Sequence, residues 1–176
     1  MKGTSQQYIK DRNDCELNIH ISDENTHTIY VEDNNNLEKL FVKSEHISRL
    51  FVQHNPFLNK MEFDLPNLRH ISIVNNNFKK LDIEFNLSDV DIISVQDEDE
   101  LENLSIKCNQ IRDLNIKDCP KITNPKFDLD QNGLMFPTLD FEVIFNSKTP
   151  TYYFYDHYEY KPQLIQNSKI DKKLFR

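Results

Sequence analysis

A short apolar-x-apolar unit recurs along most of the chain at nearly constant spacing, and this periodicity constrains the fold more than any other feature. It reads Ile19-His20-Ile21, Ile29-Tyr30-Val31, Leu40-Phe41-Val42, Leu50-Phe51-Val52, Met61-Glu62-Phe63, Ile71-Ser72-Ile73, Leu81-Asp82-Ile83, Ile93-Ser94-Val95, Leu104-Ser105-Ile106 and Leu114-Asn115-Ile116. The starting positions advance by 10, 11, 10, 11, 10, 10, 12, 11 and 10 residues. Each unit has the period of a half-buried strand, with two side chains inward and one outward. Hairpins of a β-sandwich rarely keep one length, so so regular a repeat predicts a stack of coils.

Taking every second unit gives coils of 20 to 23 residues, starting at 19, 40, 61, 81 and 104 on one face and at 29, 50, 71, 93 and 114 on the other. A single coil cannot bury its own apolar side. Stacked at about 4.8 Å, the coils make two parallel sheets around a dry core. Leu40 is then expected beside Ile19 and Met61, and Leu50 beside Ile29 and Ile71. The corners repeat too: asparagine stands three positions after the second apolar residue at Asn34, Asn55, Asn76, Asn86 and Asn109. Its side chain tolerates tight turns and bonds neighbouring backbone groups. Ile47, Phe57, Leu68, Phe78 and Ile111 follow at five positions, and Leu37, Leu58 and Leu101 at six. These large apolar side chains are expected inside, and the long step from Leu81 to Ile93 predicts a bulged corner over residues 87–92.

LENLSIKCNQIRDLNIKDCPKI, residues 101–122, fits the pattern LxxLxLxxNxLxxLxLxxNPxL and resembles a leucine-rich repeat. Residues 37–61 and 68–83 fit the same pattern, and the resemblance spans roughly 19–124. It implies a right-handed solenoid that binds another protein. The chain departs from the pattern where Ile, Phe and Val replace leucines and Glu or Cys replaces corner asparagines. The expected fold is therefore mostly β, a leucine-rich-repeat-like β-solenoid with two parallel sheets, capped at both ends. Residues 1–18 are read as the N-terminal cap, 19–124 as the solenoid and 125–176 as an aromatic-rich C-terminal cap and tail. Within the last segment, TYYFYDHYEY at 151–160 is either a lid over the final coil or an aromatic contact surface.

Composition removes several function classes. Among 176 residues there are two glycines and no alanine or tryptophan, whereas folds that cradle phosphate need glycine runs at a strand-to-helix turn. The same bias points to an AT-rich genome of the kind carried by large DNA viruses, phages and some protists. The net charge of −8 gives no electrostatic drive toward nucleic acid. No apolar run is long enough for a membrane span, and the first residues lack the apolar core of a signal peptide. A soluble, intracellular (cytoplasmic) protein is expected, in the host cytoplasm if viral.

No constellation that carries chemistry is complete. Asp128-x-Asp130-x-Asn132-Gly133 matches the first half of a calcium loop, but Leu139 stands where the bidentate glutamate belongs. The six histidines lack metal-ligand spacing. Cys15, Cys108 and Cys119 form no CxxC, and the last two are read as fillers of small corner sites. The acidic run Asp97-Glu98-Asp99-Glu100 is read as a solvated corner. No enzyme activity, cofactor or metal is expected.

What remains is a non-catalytic protein-protein interaction module that uses a solenoid face or the aromatic C-terminal cap. A second reading is an acidic inhibitor or decoy, of viral or phage type, that blocks a basic host surface. Outward residues of the early strands nominate Tyr30, Phe41, Arg49, Phe51 and His70 as partner-binding, because aromatics beside an arginine are the usual make-up of an interface anchor. Ser72 and Ser94, also outward, are expected to tolerate substitution by aspartate. The partner is another protein, not nucleic acid or membrane, and the chain itself is expected to be a monomer or a weak end-to-end homo-oligomer.

Overall fold

The computed structural model of the chain describes residues 5–85, 89–108, 110–122, 125–129 and 136–139. These form a β-solenoid without helices. The strands are β1 (Ser5–Lys10), β2 (Glu16–His20), β3 (Thr26–Glu32), β4 (Lys39–Lys43), β5 (Arg49–Gln53), β6 (Lys60–Asp64) and β7 (His70–Val74). They continue as β8 (Lys80–Glu84), β9 (Asp89–Gln96), β10 (Asn103–Cys108), β11 (Gln110–Lys117), β12 (Lys126–Leu129) and β13 (Phe136–Leu139). All pairing is parallel and joins every second strand. The odd strands make one seven-stranded sheet, and the even strands make two three-stranded ones, β2-β4-β6 and β8-β10-β12.

The period-two pattern explains the core. Ile29, Val31, Leu50, Val52, Ile71, Ile73, Ile93, Val95, Leu114 and Ile116 are the inward residues of the odd strands, and all are fully buried. Leu50 lies beside Ile29 and Ile71, and Leu40 beside Met61, as the periodicity requires. Leu40's other neighbour is Leu17 rather than Ile19, because β2 begins two residues earlier than the repeat suggests and Ile19 pairs with Val42. The connection from β2 to β3, residues 21–25, absorbs the two extra residues. β1 lies within the segment read as a cap, and it pairs with β3 in the same parallel manner. At the other end, Phe127 to Leu129 forms part of β12, and the next strand is Phe136–Leu139. Residues 151–160, Asn86, Asn109 and most of the calcium-like loop lie outside the described residues.

Each coil turns at one left-handed residue directly after its odd strand: Asp11, Asp33, His54, Asn75, Asp97 and Asp118, with φ between 51° and 57°. Asp, Asn and His tolerate this region better than other non-glycine residues, so the corner is built without glycine. After the first corner, where Arg12 is exposed, the following residue points inward. At Asn34, Asn55 and Asn76 it builds a ladder along the solenoid. The Asn34 N–H and Nδ2 both donate to Asn55 Oδ1, at 3.1 and 3.0 Å. Asn55 donates likewise to Asn76 Oδ1, at 3.3 and 3.0 Å. Each Nδ2 also serves two backbone carbonyls, Ile9 and Glu32 for Asn34, Val31 and Gln53 for Asn55, and Val52 and Val74 for Asn76. Three residues on, Leu37, Leu58 and Leu101 close the turn by donating to the Asn34, Asn55 and Glu98 carbonyls and are fully buried.

This corner explains two departures from the sequence reading. Phe57 is 56 % exposed, because the slot in its corner belongs to Leu58 and holds one side chain. After Asn76 the corner is a residue shorter, reaching β8 at Lys80, whereas Asn55 reaches β6 only at Lys60. Phe78 fills the slot from two positions on, and β8 no longer pairs with β6. The split between the two three-stranded sheets falls between β6 and β8, and the Phe63 and Phe85 rings, near the far ends of these strands, meet at 5.7 Å. Of the expected bulged corner over 87–92, residues 89–92 lie in β9, where the Asp91 and Ile92 N–H groups both donate to the Arg69 carbonyl and pairing with β7 starts only at Ile92; residues 87 and 88 lie outside the described residues.

Candidate functional site

Parallel, in-register stacking places equal positions of successive coils above one another at the strand spacing. That spacing, about 4.8 Å, is close to the contact distance of stacked aromatic rings. The outward centre of the seven-stranded sheet uses this match. Tyr8, Tyr30 and Phe51 are consecutive partners in register. Their rings stack at 4.6 Å and 5° between Tyr8 and Tyr30, and at 4.7 Å and 8° between Tyr30 and Phe51. Tyr8 ends the stack and is 54 % exposed.

A second outward column runs beside it. Thr28, Arg49, His70 and Ile92 are successive register partners there. His70 meets the Phe51 ring edge-on at 5.0 Å and 63°. Burial, then the Arg49 charge, hold the imidazole below its ordinary pKa, with Asp91 pulling the other way. His70 is therefore neutral at pH 7, and the exposed Arg49 is the fixed cation beside the stack.

Four of the five nominated residues, Tyr30, Arg49, Phe51 and His70, thus share one face. Phe41 does not join them. It faces outward from β4 on the other side of the solenoid, edge-on to His20 at 6.0 Å. Its surroundings are charged: Lys39–Glu16 at 3.6 Å, Lys43–Asp64 at 2.5 Å and Lys60–Glu62 at 2.8 Å. The residue that sequence reasoning passed over is Tyr8. It stands 22 residues before Tyr30, one coil length, but outside the apolar-x-apolar units, within the segment that the sequence reads as a cap.

Past Phe51 the central column changes character to Ser72, Ser94 and Asn115. The two serines point outward, yet they are only 8 % and 7 % exposed. Ser94 Oγ accepts from Gln96 Nε2 at 2.8 Å and from Asn115 Nδ2 at 3.4 Å. Tolerance to aspartate does not follow from an outward position alone, because neighbouring coils cover these small side chains. The acidic corner also departs from expectation: Asp97 and Asp99 are exposed, but Glu98 is fully buried.

Among the described residues no group of three or more His, Cys, Asp or Glu side chains is placed to hold a metal ion, and no helix is long and apolar enough to cross a membrane. No family model matches the chain, and neither the curated proteins nor the solved structures contain a match.

Proposed function

We propose that the chain is a non-catalytic protein-interaction module of leucine-rich-repeat type that binds its partner on the outer face of the seven-stranded sheet. The observation that supports this reading is the Tyr8, Tyr30 and Phe51 stack with Arg49 and His70 beside it. Stacking holds the rings rigid before any partner arrives, so little side-chain entropy remains to be lost on binding. An arginine next to aromatic anchors supplies a directional contact at the rim of such a patch.

The test compares the wild-type chain with Arg49→Ala/Phe51→Ala as bait in native lysate, with quantitative mass spectrometry of what is retained. A specific partner is expected to fall at least tenfold in the double variant while the fold survives, as judged by its melting curve. Equal retention of every specific partner would remove the face from consideration. A decoy that works through its net charge of −8 instead loses its partner steeply between low and high salt. An aromatic anchor holds through the same series.

A further inference from the structure

The asparagine ladder reaches Glu98 and there meets a residue that cannot repeat it as a carboxylate. Glu98 Oε1 stands in for the asparagine carbonyl: it accepts from the Asn76 N–H and from Asn76 Nδ2, both at 3.0 Å. Glu98 Oε2 therefore takes the place of the amide nitrogen. It is buried and has no hydrogen-bond partner among the described residues. In the three asparagine rungs that position donates to two carbonyls, one from the preceding coil and one two residues earlier in the same coil.

Register identifies the corresponding carbonyls for Glu98. Ile73 is level with Val52 before it and Val95 after it, and Gln96 lies two residues before Glu98. The next rung repeats the arrangement, since the Cys119 thiol lies against the Val95 carbonyl at 3.9 Å and the Lys117 carbonyl at 3.1 Å. The Gln96 carbonyl already accepts the Asn75 N–H at 3.1 Å, which leaves one lone pair for a side-chain donor. An ionised Oε2 aimed at carbonyl oxygens has only repulsion to offer. A protonated one has a hydrogen to share between the two carbonyls.

We propose that Glu98 is a proton-operated rung of the corner ladder, closing it as the neutral acid through an Oε2–H bond to the Ile73 and Gln96 carbonyls and opening it as the carboxylate. The surroundings favour the neutral form. Asp97 on the same corner and Asp118 on the next are both acidic, and Cys119 presents a thiol. Asn75 and Asn76 on the preceding corner are uncharged, Phe78 and Leu101 are apolar, and Lys121 is engaged by Glu100 at 2.5 Å. The Glu98 carboxyl stands raised from 4.5 to about 7, with burial as the largest cause. The Asn76 side chain, then the Asn76 and Phe78 backbone N–H groups, pull it down, and Asp97 adds to the rise. A carboxyl that holds its proton more tightly folded than unfolded stabilises the fold fully below pH 4.5. It loses that contribution as the pH rises through about 7.

The experiment pairs wild type with Glu98→Gln, whose amide supplies the donor at every pH. Melting temperatures of the two are expected to agree near pH 5 and to separate by about 5–10 °C at pH 8.5, with the glutamine variant higher. The carboxyl carbon of Glu98, followed by NMR in the wild-type chain, is expected to titrate near neutrality. Parallel melting profiles overturn the proposal, and so does a carboxyl midpoint in the ordinary carboxylate range. If the glutamine variant does not fold, the NMR midpoint alone decides.

Discussion

The coils up to Asn76 and the coils after it share one backbone and differ in what fills its two repeated slots. In the first set the central outward column is Tyr8, Tyr30 and Phe51, and the inward corner is Asn34, Asn55 and Asn76. In the second the column is Ser94 and Asn115, a change that begins at Ser72 on the last coil of the first set, and the corner is Glu98 and Cys119. A parallel, in-register stack turns a choice of residue into a choice of column, so a slot is best filled by a side chain that complements itself one strand spacing away. Asparagine does so as donor and acceptor at once, and an aromatic ring does so through its face. Where the column changes residue, complementarity fails. Glu98 Oε2, Asp113 Oδ1 and Asn115 Oδ1, the buried side-chain atoms without a partner among the described residues, all lie in the later coils.

The largest expected effect comes from removing the middle asparagine. Asn55→Ala strands the Asn34 N–H and takes a donor from the Val31 and Gln53 carbonyls, all at buried or half-buried positions. With them go the two amide contacts to Asn34 Nδ2 and Asn76 Oδ1, five side-chain hydrogen bonds in all, and the loss is expected to cost about 3–5 kcal/mol in chemical denaturation. Cys119→Ala, at the equivalent place in the later coils, removes only weak thiol contacts and is expected to cost about 1 kcal/mol. Equal losses at the two positions would break the distinction between the halves.

The outward column offers the second comparison. Ser94→Asp puts a carboxylate at a position that is 7 % exposed and one strand away from Asp113, and is expected to cost about 2 kcal/mol. The third effect has the opposite sign. Cys119→Asn extends the ladder to the last corner with a full amide, which then donates where the thiol now lies. A gain of about 1 kcal/mol is expected, read as a shift of the denaturation midpoint at unchanged slope.

How much of this could be read from the sequence follows from what repetition reveals. The alternation of Ile, Leu and Val named the inward residues of β3, β5, β7, β9 and β11, because burial on one face of a strand leaves a period of two. It misplaced β2, where Leu17-Asn18-Ile19 and Ile19-His20-Ile21 fit the pattern equally well and only tertiary pairing chooses between them. Tyr30, Phe51, Arg49 and His70 were legible as neighbours since register follows from coil length. Phe41 was already separable from them, because its unit starts at 40 and the alternation of units puts it on the other face of the coil. Glu98 was hidden by its company. Within Asp97-Glu98-Asp99-Glu100 a run of charge suggests solvent, and only the count of one residue past the left-handed corner marks Glu98 as a ladder position.

The smallest predicted effect isolates that count. Asn75 and Asn76 are the same residue at adjacent positions with unlike tasks. Asn75 sits at φ 52° and is exposed, whereas Asn76 is 8 % exposed and donates to Val52, Val74 and Glu98. Asn75→Gly trades a tolerated left-handed residue for one with no steric penalty there but more entropy to lose on folding. These effects offset, and the change in stability is expected to stay within about 0.5 kcal/mol. The same substitution at Asn76 removes the rung that joins the two halves of the ladder and is expected to cost about 3 kcal/mol. The pair of urea midpoints reads the register of the corner directly. If both asparagines responded alike, the inward slot would not lie one residue after the left-handed turn, and the distinction between Asn76 and Glu98 as successive rungs would fall with it.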